Sequence, residues 1–538
     1  MVNGQAVLDW VARYNGTADS IDVATDITTD NVGNVYVTGY STGLLVLSDY
    51  TTIKYDPNGN QLWVSHYNGP AGLHDKASAI AVDNLGNVYV TGSSVGLLTL
   101  GDIATIKYDP NGNQVWVKRY NGLLVGDDAG TDIIIDNNGD VLVTGYSVRL
   151  SGNDYTTIKY NSVNGNEVWV ATYNGPGNTN DVANELAIDD NGRIFVVGES
   201  NGSLLGNPDY AVVAYDGNGN QQWVQRYNGP GNGSDKAYAI VVDGDNNVII
   251  TGESTGSGNN VNYTTIKYDN NGNHQWTRSY NGTGNGSDKA YAIVVDNSDN
   301  VYVTGSSMGS GTGEDYATVK YNEQGSEQWV RRYNGSGNNN DKAYAIVVDG
   351  DGNPVVTGSS NSSSGEDDYT TISYDENGNQ NWLMKYNGPG NSSDKAYAIV
   401  VDNSDNVIVT GGSKSGVLIE SEDYATVKYS QSTTTFIDPL NNNPGFFGLS
   451  QNYPNPFNPV TNIEFNIKET ALVNITVYNL LGIEIDQFSY SRLSPGTYTA
   501  RWDATGRASG LYLYKIKVYD AYSGNMLFNE TKKMLLIK

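Results

Sequence analysis

Residues 227–276 read YNGPGNGSDKAYAIVVDGDNNVIITGESTGSGNNVNYTTIKYDNNGNHQW, and the chain says this sentence eight times with small changes. Tryptophans stand at Trp10, Trp63, Trp116, Trp169, Trp223, Trp276, Trp329 and Trp382, at intervals of 53 residues with a single 54. A Tyr-Asn-Gly keeps the same beat from Tyr14 to Tyr386. A fixed period of this length marks a repeat architecture and outranks any single motif.

One copy holds four runs with strand chemistry separated by turn residues. In the fifth copy they cover 237–242, 248–251, 263–268 and 274–280. Alternation along a strand predicts Asp235, Ala237 and Ala239 on one face, and Lys236, Tyr238 and Ile240 on the other. Both faces are apolar or small, so both must be covered. A four-stranded sheet covered on each face by copies of itself is a propeller blade. Nothing in the unit has helical periodicity.

Counting parts gives the closure. The second-strand glycine recurs eight times, at Gly39, Gly92, Gly145, Gly198, Gly252, Gly305, Gly358 and Gly411. The third strand recurs eight times and ends last at Tyr429, after which no Trp strand follows. An orphan Trp strand precedes the first copy, around residues 10–14. The expectation is an all-β fold, an eight-bladed β-propeller whose N-terminal strand closes the last blade and removes an open edge.

Composition bounds the function. A net charge of −28 over 538 residues argues against a nucleic-acid partner, which needs a basic face. The absence of cysteine excludes disulfides and thiol chemistry. No run of about 18 apolar residues predicts a transmembrane segment. The start, MVNGQAVLDW, shows no secretory signal peptide. The propeller is expected over 1–432 and a linker over 433–447, rich in Pro and Asn. Residues 448–538 carry short alternating strands with Gly/Pro turns, expected to form a small Ig-like β-sandwich.

That last segment closely resembles the C-terminal sorting domain of the bacterial type IX secretion system. The residues that carry the likeness are Tyr453, Pro454, Asn455, Pro456, Phe457, Asn458 and Pro459, the Val477–Gly482 strand and turn, Gly510-Leu511-Tyr512, and the tail from Lys532 and Lys533 to Lys538. The resemblance implies export, with secretion and surface-attachment machinery as partners and an extracellular or cell-surface location. The repeats resemble SBBP-type bacterial propeller repeats through D-x-A-x-A-I-x-x-D followed by N-V-Y-V-T-G. That family implies a fold and an extracytoplasmic setting without a defined activity. It is usually described with seven blades, so a count of eight departs from it.

Several residues invite chemistry. Turns such as Asp56–Asn60 read D-x-x-G-N; they suit hairpin loops, with calcium binding as the competing reading because oxygen-rich loops offer hard ligands. The turn-plus-Trp pattern also resembles the repeat of eight-bladed quinoprotein dehydrogenases, whose Trp docks between blades. Eight aspartates open the first strands, among them Asp22, Asp75, Asp128 and Asp181. They are expected either to ring one channel mouth and hold cations, or to cap backbone N–H groups or pair with third-strand lysines such as Lys159, Lys267 and Lys428. Where most copies place Ala at the second inward position, Asp26, Asp132 and Glu185 stand instead, as an acid/base set, a cation site or hydrated channel walls. On the loop face, Leu44, Leu45, Leu47, Leu97, Leu98, Leu123, Leu124, Leu204, Leu205 and Leu418 gather in copies one, two, four and eight and the connection into copy three, as a docking sector or as side chains tucked into the blades. Three histidines without Cys or a G-x-S-x-G elbow make a nucleophilic triad implausible, and no zinc pattern exists.

The function expected from these features is non-catalytic: binding of a glycan or protein, or structural self-association, with no cofactor unless calcium. The competing class is a carbohydrate-active or quinoprotein-like enzyme using the channel.

Overall fold

A computed structural model describes residues 5–16, 18, 20–43, 47–204, 206–415, 421–432, 445–493, 495–504, 507–520 and 525–537. Most of the expected linker lies outside these residues. The chain divides into two compact units, Ala6–Ser430 and a second comprising Gln431–Lys538 with Met1–Gln5.

The larger unit is a β-propeller of eight four-stranded antiparallel sheets among the described residues. The fifth copy supplies Asp235–Val242, Val248–Thr255, Val261–Tyr268 and His274–Tyr280, hydrogen-bonded in that order. Strands one to three begin or end further out than the β-branched runs suggest, because pairing continues through polar residues. Each first strand packs on the first strand of the next sheet, and Asp394–Val401 returns to Asp22–Thr29. The last sheet runs Gln5–Tyr14, Glu422–Ser432, Val407–Lys414, Asp394–Val401, so the N-terminal strand completes it.

The predicted alternation of the first strand is corrected by a β-bulge. Ala237 pairs with Gly252 and Ala239 with Thr251, which leaves Tyr238 without a partner and sends Ala237 and Ala239 to opposite faces. The same slip occurs in every copy, for example between Ala24 and Asp26 and between Gly130 and Asp132. The second-strand glycine is its counterpart. A Cβ on Gly252 would strike the Lys236 carbonyl oxygen, and the other seven glycines face the equivalent carbonyl.

Neighbouring sheets are held by repeated bonds. Trp63 Nε1 donates to the Pro110 carbonyl in the next copy's turn at 3.1 Å, and Trp329 does the same to Glu376 at 3.0 Å. The turns are hairpin loops built by their aspartates: Asp56 accepts from the backbone N–H of Asn58 and Asn60, and Gly59 takes φ 82°. A buried third-strand tyrosine donates to the third strand of the next sheet, as Tyr210 does to Thr264 at 3.0 Å. Tyr424 makes that bond across the closure, to Thr51 at 3.1 Å. Trp382 breaks the pattern. No D-x-x-G-N turn precedes the closing strand, and its Nε1 finds no partner among the described residues.

The second unit packs a three-stranded sheet (Gly448–Leu449, Val460–Ile467, Gly496–Asp503) and a four-stranded one (Glu484–Leu493, Ala471–Tyr478, Gly510–Asp520, Met526–Leu536) around one core. Ile463, Phe465, Ile475, Trp502, Ile516 and Met534 from both sheets fill it. The sorting motif holds the final strand. Asn455 accepts from the Leu535 N–H at 2.9 Å, and the Phe457 N–H donates to the Leu535 carbonyl at 3.0 Å. Phe457 is buried against Trp502, and Pro454 and Pro456 follow cis peptide bonds. Lys532 pairs with Glu530, while Lys533 is exposed.

Candidate binding channel

The first strands form the innermost ring of the propeller, so their side chains line the channel. The aspartates that open them do not ring its mouth. Asp22, Asp75, Asp128 and Asp181 are fully buried, and each accepts the N–H of the glycine in the preceding Tyr-Asn-Gly: Gly16 at 2.6 Å, Gly69 at 2.7 Å, Gly122 at 2.9 Å and Gly175 at 2.7 Å. The carboxylates fasten each inter-sheet connection to the strand it enters. The third-strand lysines choose other partners: Lys159 pairs with Asp136, Lys267 with Asp243 and Lys428 with Asp402, in the turn after the first strand.

Beyond the bulge stand Asp26, Asp132 and Glu185. Asp26 accepts the N–H of its neighbour Ile27 and of Ile80 in the next sheet, both at 2.8 Å. Asp132 does the same with Ile133 and Leu186, at 2.8 and 2.9 Å, and Glu185 reaches Ile240 at 2.7 Å. Burial pushes Asp26 up to about 7, opposed by its two N–H donors. Burial, then repulsion from Asp132, pushes Glu185 up to about 8, and burial raises Asp132 as well. The three carboxylates bridge sheets one and two, three and four, and four and five.

The bulge residue itself divides the ring. In copies one to four it is Thr25, Ser78, Thr131 and Asn184, of which Thr25, Thr131 and Asn184 donate to the next sheet's Ala77, Ala183 and Ala237 carbonyls. In copies five to eight it is Tyr238, Tyr291, Tyr344 and Tyr397, half-buried, with successive ring centroids 5.9, 5.8 and 5.6 Å apart. Beside this arc Lys236, Lys289 and Lys342 pair with Glu199, Glu253 and Glu314 of the preceding copy at 2.7–2.8 Å, and the Tyr238 hydroxyl donates to Glu253. Strict alternation puts Tyr238 on a packed face, and the bulge turns it into the channel instead. The signal was present as DKAYAIVV, which four consecutive copies share.

Further along the same strands, a cavity of about 360 Å³ is lined by Val294, Val295, Val347, Val348 and Val401, with Asp296 and Asp349. Among the described residues no three acidic or histidine side chains are grouped to hold a metal ion. Of the leucine sector, Leu97, Leu98, Leu123, Leu124 and Leu204 are exposed and Leu47 is half-buried. Leu44, Leu45, Leu205 and Leu418 lie outside the described residues.

Comparison with known families agrees with both units. Residues 451–524 match the secretion system C-terminal sorting domain, 9–45 a β-propeller repeat, and 48–304 the model described as outer membrane protein assembly factor BamB. An uncharacterized WD repeat-containing protein of Acanthamoeba polyphaga mimivirus is 28% identical over 171 residues, which are 28% of this chain and 11% of that protein. The match thus spans about a tenth of that relative's length. Among solved structures, a fungal alcohol oxidase in complex with copper is similar at 11% identity and TM-score 0.41, with 99% of each chain covered. A polysaccharide lyase is similar at 11% identity and TM-score 0.40, over 78% of this chain and 91% of the lyase.

Proposed function

We propose that this propeller, carried out of the cell by its type IX sorting domain as a secreted or surface protein, is a non-catalytic binding module that takes its ligand in the channel. The observation that carries this reading is the broken symmetry of the innermost ring. Eight nearly identical sheets differ there in one contiguous half, where four tyrosines and three lysine–glutamate pairs replace side chains that close on the backbone. Aromatic rings beside charged pairs suit a ligand with both apolar faces and hydrogen-bonding groups, as glycans have. The engagement of Asp26, Asp132 and Glu185 with backbone N–H groups supports a structural role for them over acid/base catalysis.

Thermal stabilisation of the full chain across a glycan panel tests the reading. A stabilising glycan whose effect disappears in Tyr291→Ala and Tyr344→Ala is the expected result. The competing enzyme would turn over a panel substrate and lose that turnover when Asp26, Asp132 and Glu185 are all changed to Ala. Self-association through the exposed leucines is read separately, by light scattering on the full chain.

A further inference from the structure

Resting on that binding role, we propose that the channel takes a carboxylate with an apolar body, its carboxylate bridging two neighbouring backbone N–H groups among those of Ile293, Ile346 and Ile399, as Asp26 bridges Ile27 and Ile80, and its body in the valine-lined cavity. The protein itself shows what this position accepts. One residue beyond the bulge pair, the first strand turns an N–H away from its own ladder, and in five consecutive copies a carboxylate meets it. Asp26 serves Ile27 and Ile80, Asp132 serves Ile133 and Leu186, and Glu185 serves Ile240. Each served N–H has an acidic residue either just before it or at the equivalent place in the preceding copy.

Copies six to eight have neither. Ile293, Ile346 and Ile399 follow Ala292, Ala345 and Ala398, and the preceding copies offer Ala239, Ala292 and Ala345. A methyl group cannot reach, and no described side chain takes these three N–H groups. Register makes them equivalent to the served ones: Ile80 pairs with Val90 as Ile293 does with Val303, Ile346 with Val356 and Ile399 with Val409. Ile346 and Ile399 are buried and Ile293 half-buried, and an N–H bonds more strongly to a charged carboxylate than to a neutral acceptor, so an arriving carboxylate is favoured. The three N–H groups are contiguous around the ring.

The space beside them fits the rest of such a ligand. Val294, Val347 and their neighbours Val295, Val348 and Val401 line the cavity of about 360 Å³, one or two residues further along the same strands. That volume lies in the range of small-molecule sites, and five valines line it together with Asp296, Asn297 and Asp349, so the aliphatic wall takes the body and the carboxylate stays at the N–H end. In the first sheet, next to the eighth, and in the fourth, burial leaves Asp26 and Glu185 ready to hold a proton near neutral pH, which limits their repulsion of a bound anion. Glycan binding at the tyrosine arc needs none of this, so the two ideas separate by experiment.

The test titrates the full-length chain with hexanoate and, in parallel, hexan-1-ol, reading thermal midpoint and the 15N-isoleucine amide spectrum. Hexanoate is expected to raise the midpoint and shift at least two neighbouring amides among those of Ile293, Ile346 and Ile399, with Ile80 and Ile240 unmoved. Hexan-1-ol is expected to do neither. Ala345→Asp places at copy seven the carboxylate that copies one and three already carry, and is expected to weaken hexanoate at least tenfold; Ala292→Asp is the second variant should the first not fold. Equal response to the alcohol, no shift of the three amides, or hexanoate binding undiminished in a folded Asp variant each overturns the proposal. A glycan effect dependent on Tyr291, found beside any of these failures, leaves the binding role standing without the carboxylate.

Discussion

Replacing Asp26 with Ala separates the two things its carboxylate does. It caps the N–H groups of Ile27 and Ile80, and it resists ionisation because it is walled in. Leaving those N–H groups unmet costs about 1–3 kcal/mol each, less where channel water replaces the oxygen, and this part does not depend on pH. The second part does. A carboxyl moved from 3.8 to about 7 disfavours its charged form by about 4 kcal/mol in a dry site. A half-buried group facing a channel retains on the order of 1–2 kcal/mol of this. The folded state binds the proton more tightly than the unfolded chain, so the contribution to stability is full below about 4 and is lost as pH rises through 7. Asp26→Ala should therefore be less stable than the parent at pH 4.5 by about 2–4 kcal/mol, and the gap should narrow by about 1–2 kcal/mol at pH 8. Reversible urea unfolding at the two pH values measures it. A gap that stays constant or widens with pH would refute the reasoning, since the carboxylate would then be ionised and held by its N–H donors.

Two more predictions concern how the sheets are joined. Trp63→Phe removes a hydrogen bond to the Pro110 carbonyl and should cost about 1 kcal/mol beyond lost packing, whereas Trp382→Phe, whose Nε1 has no described partner, should cost the packing alone; matched urea midpoints compare them. Tyr424→Phe removes the bond from its hydroxyl to the Thr51 carbonyl across the closure, a carbonyl that still accepts from the Thr38 hydroxyl, and should lower stability by about 0.5–1.5 kcal/mol, while a mutant indistinguishable from the parent would show that the closure does not depend on this bond.

The sequence disclosed the ring because its evidence is periodic. Trp and Gly recurrences count the sheets, and an orphan strand at one end matches a missing strand at the other. What it hid is a single unpaired residue per copy. Side-chain alternation has a period of two, so one bulge between Ala237 and Ala239 reverses every facing assignment beyond it. Alternation therefore puts Asp22 and Asp26 on one face, whereas Asp22 is sealed in an inter-sheet joint and Asp26 lies past the slip. Nothing in the local composition announces the bulge except the glycine opposite it, whose hydrogen atom stands where a methyl would meet the Lys236 carbonyl. The tyrosine arc is hidden for the same reason, because its residues occupy the position that alternation does not describe.

The pairing of Gln5–Tyr14 with Glu422–Ser432 sets an order of events in the life of the chain. Seven sheets are each assembled from residues close together in sequence, and can form one after another as the polypeptide lengthens. The eighth joins strands separated by some four hundred residues, so the ring stays open until nearly all of the propeller has been made. Until then Trp10 has its neighbour turn but lacks its own sheet, and both flanks of the arc present unpaired strand edges. The segment that ends this interval, Glu422–Ser432, stands just ahead of the sorting domain. A chain truncated before it loses the closing partner and, with everything that follows, the sorting domain.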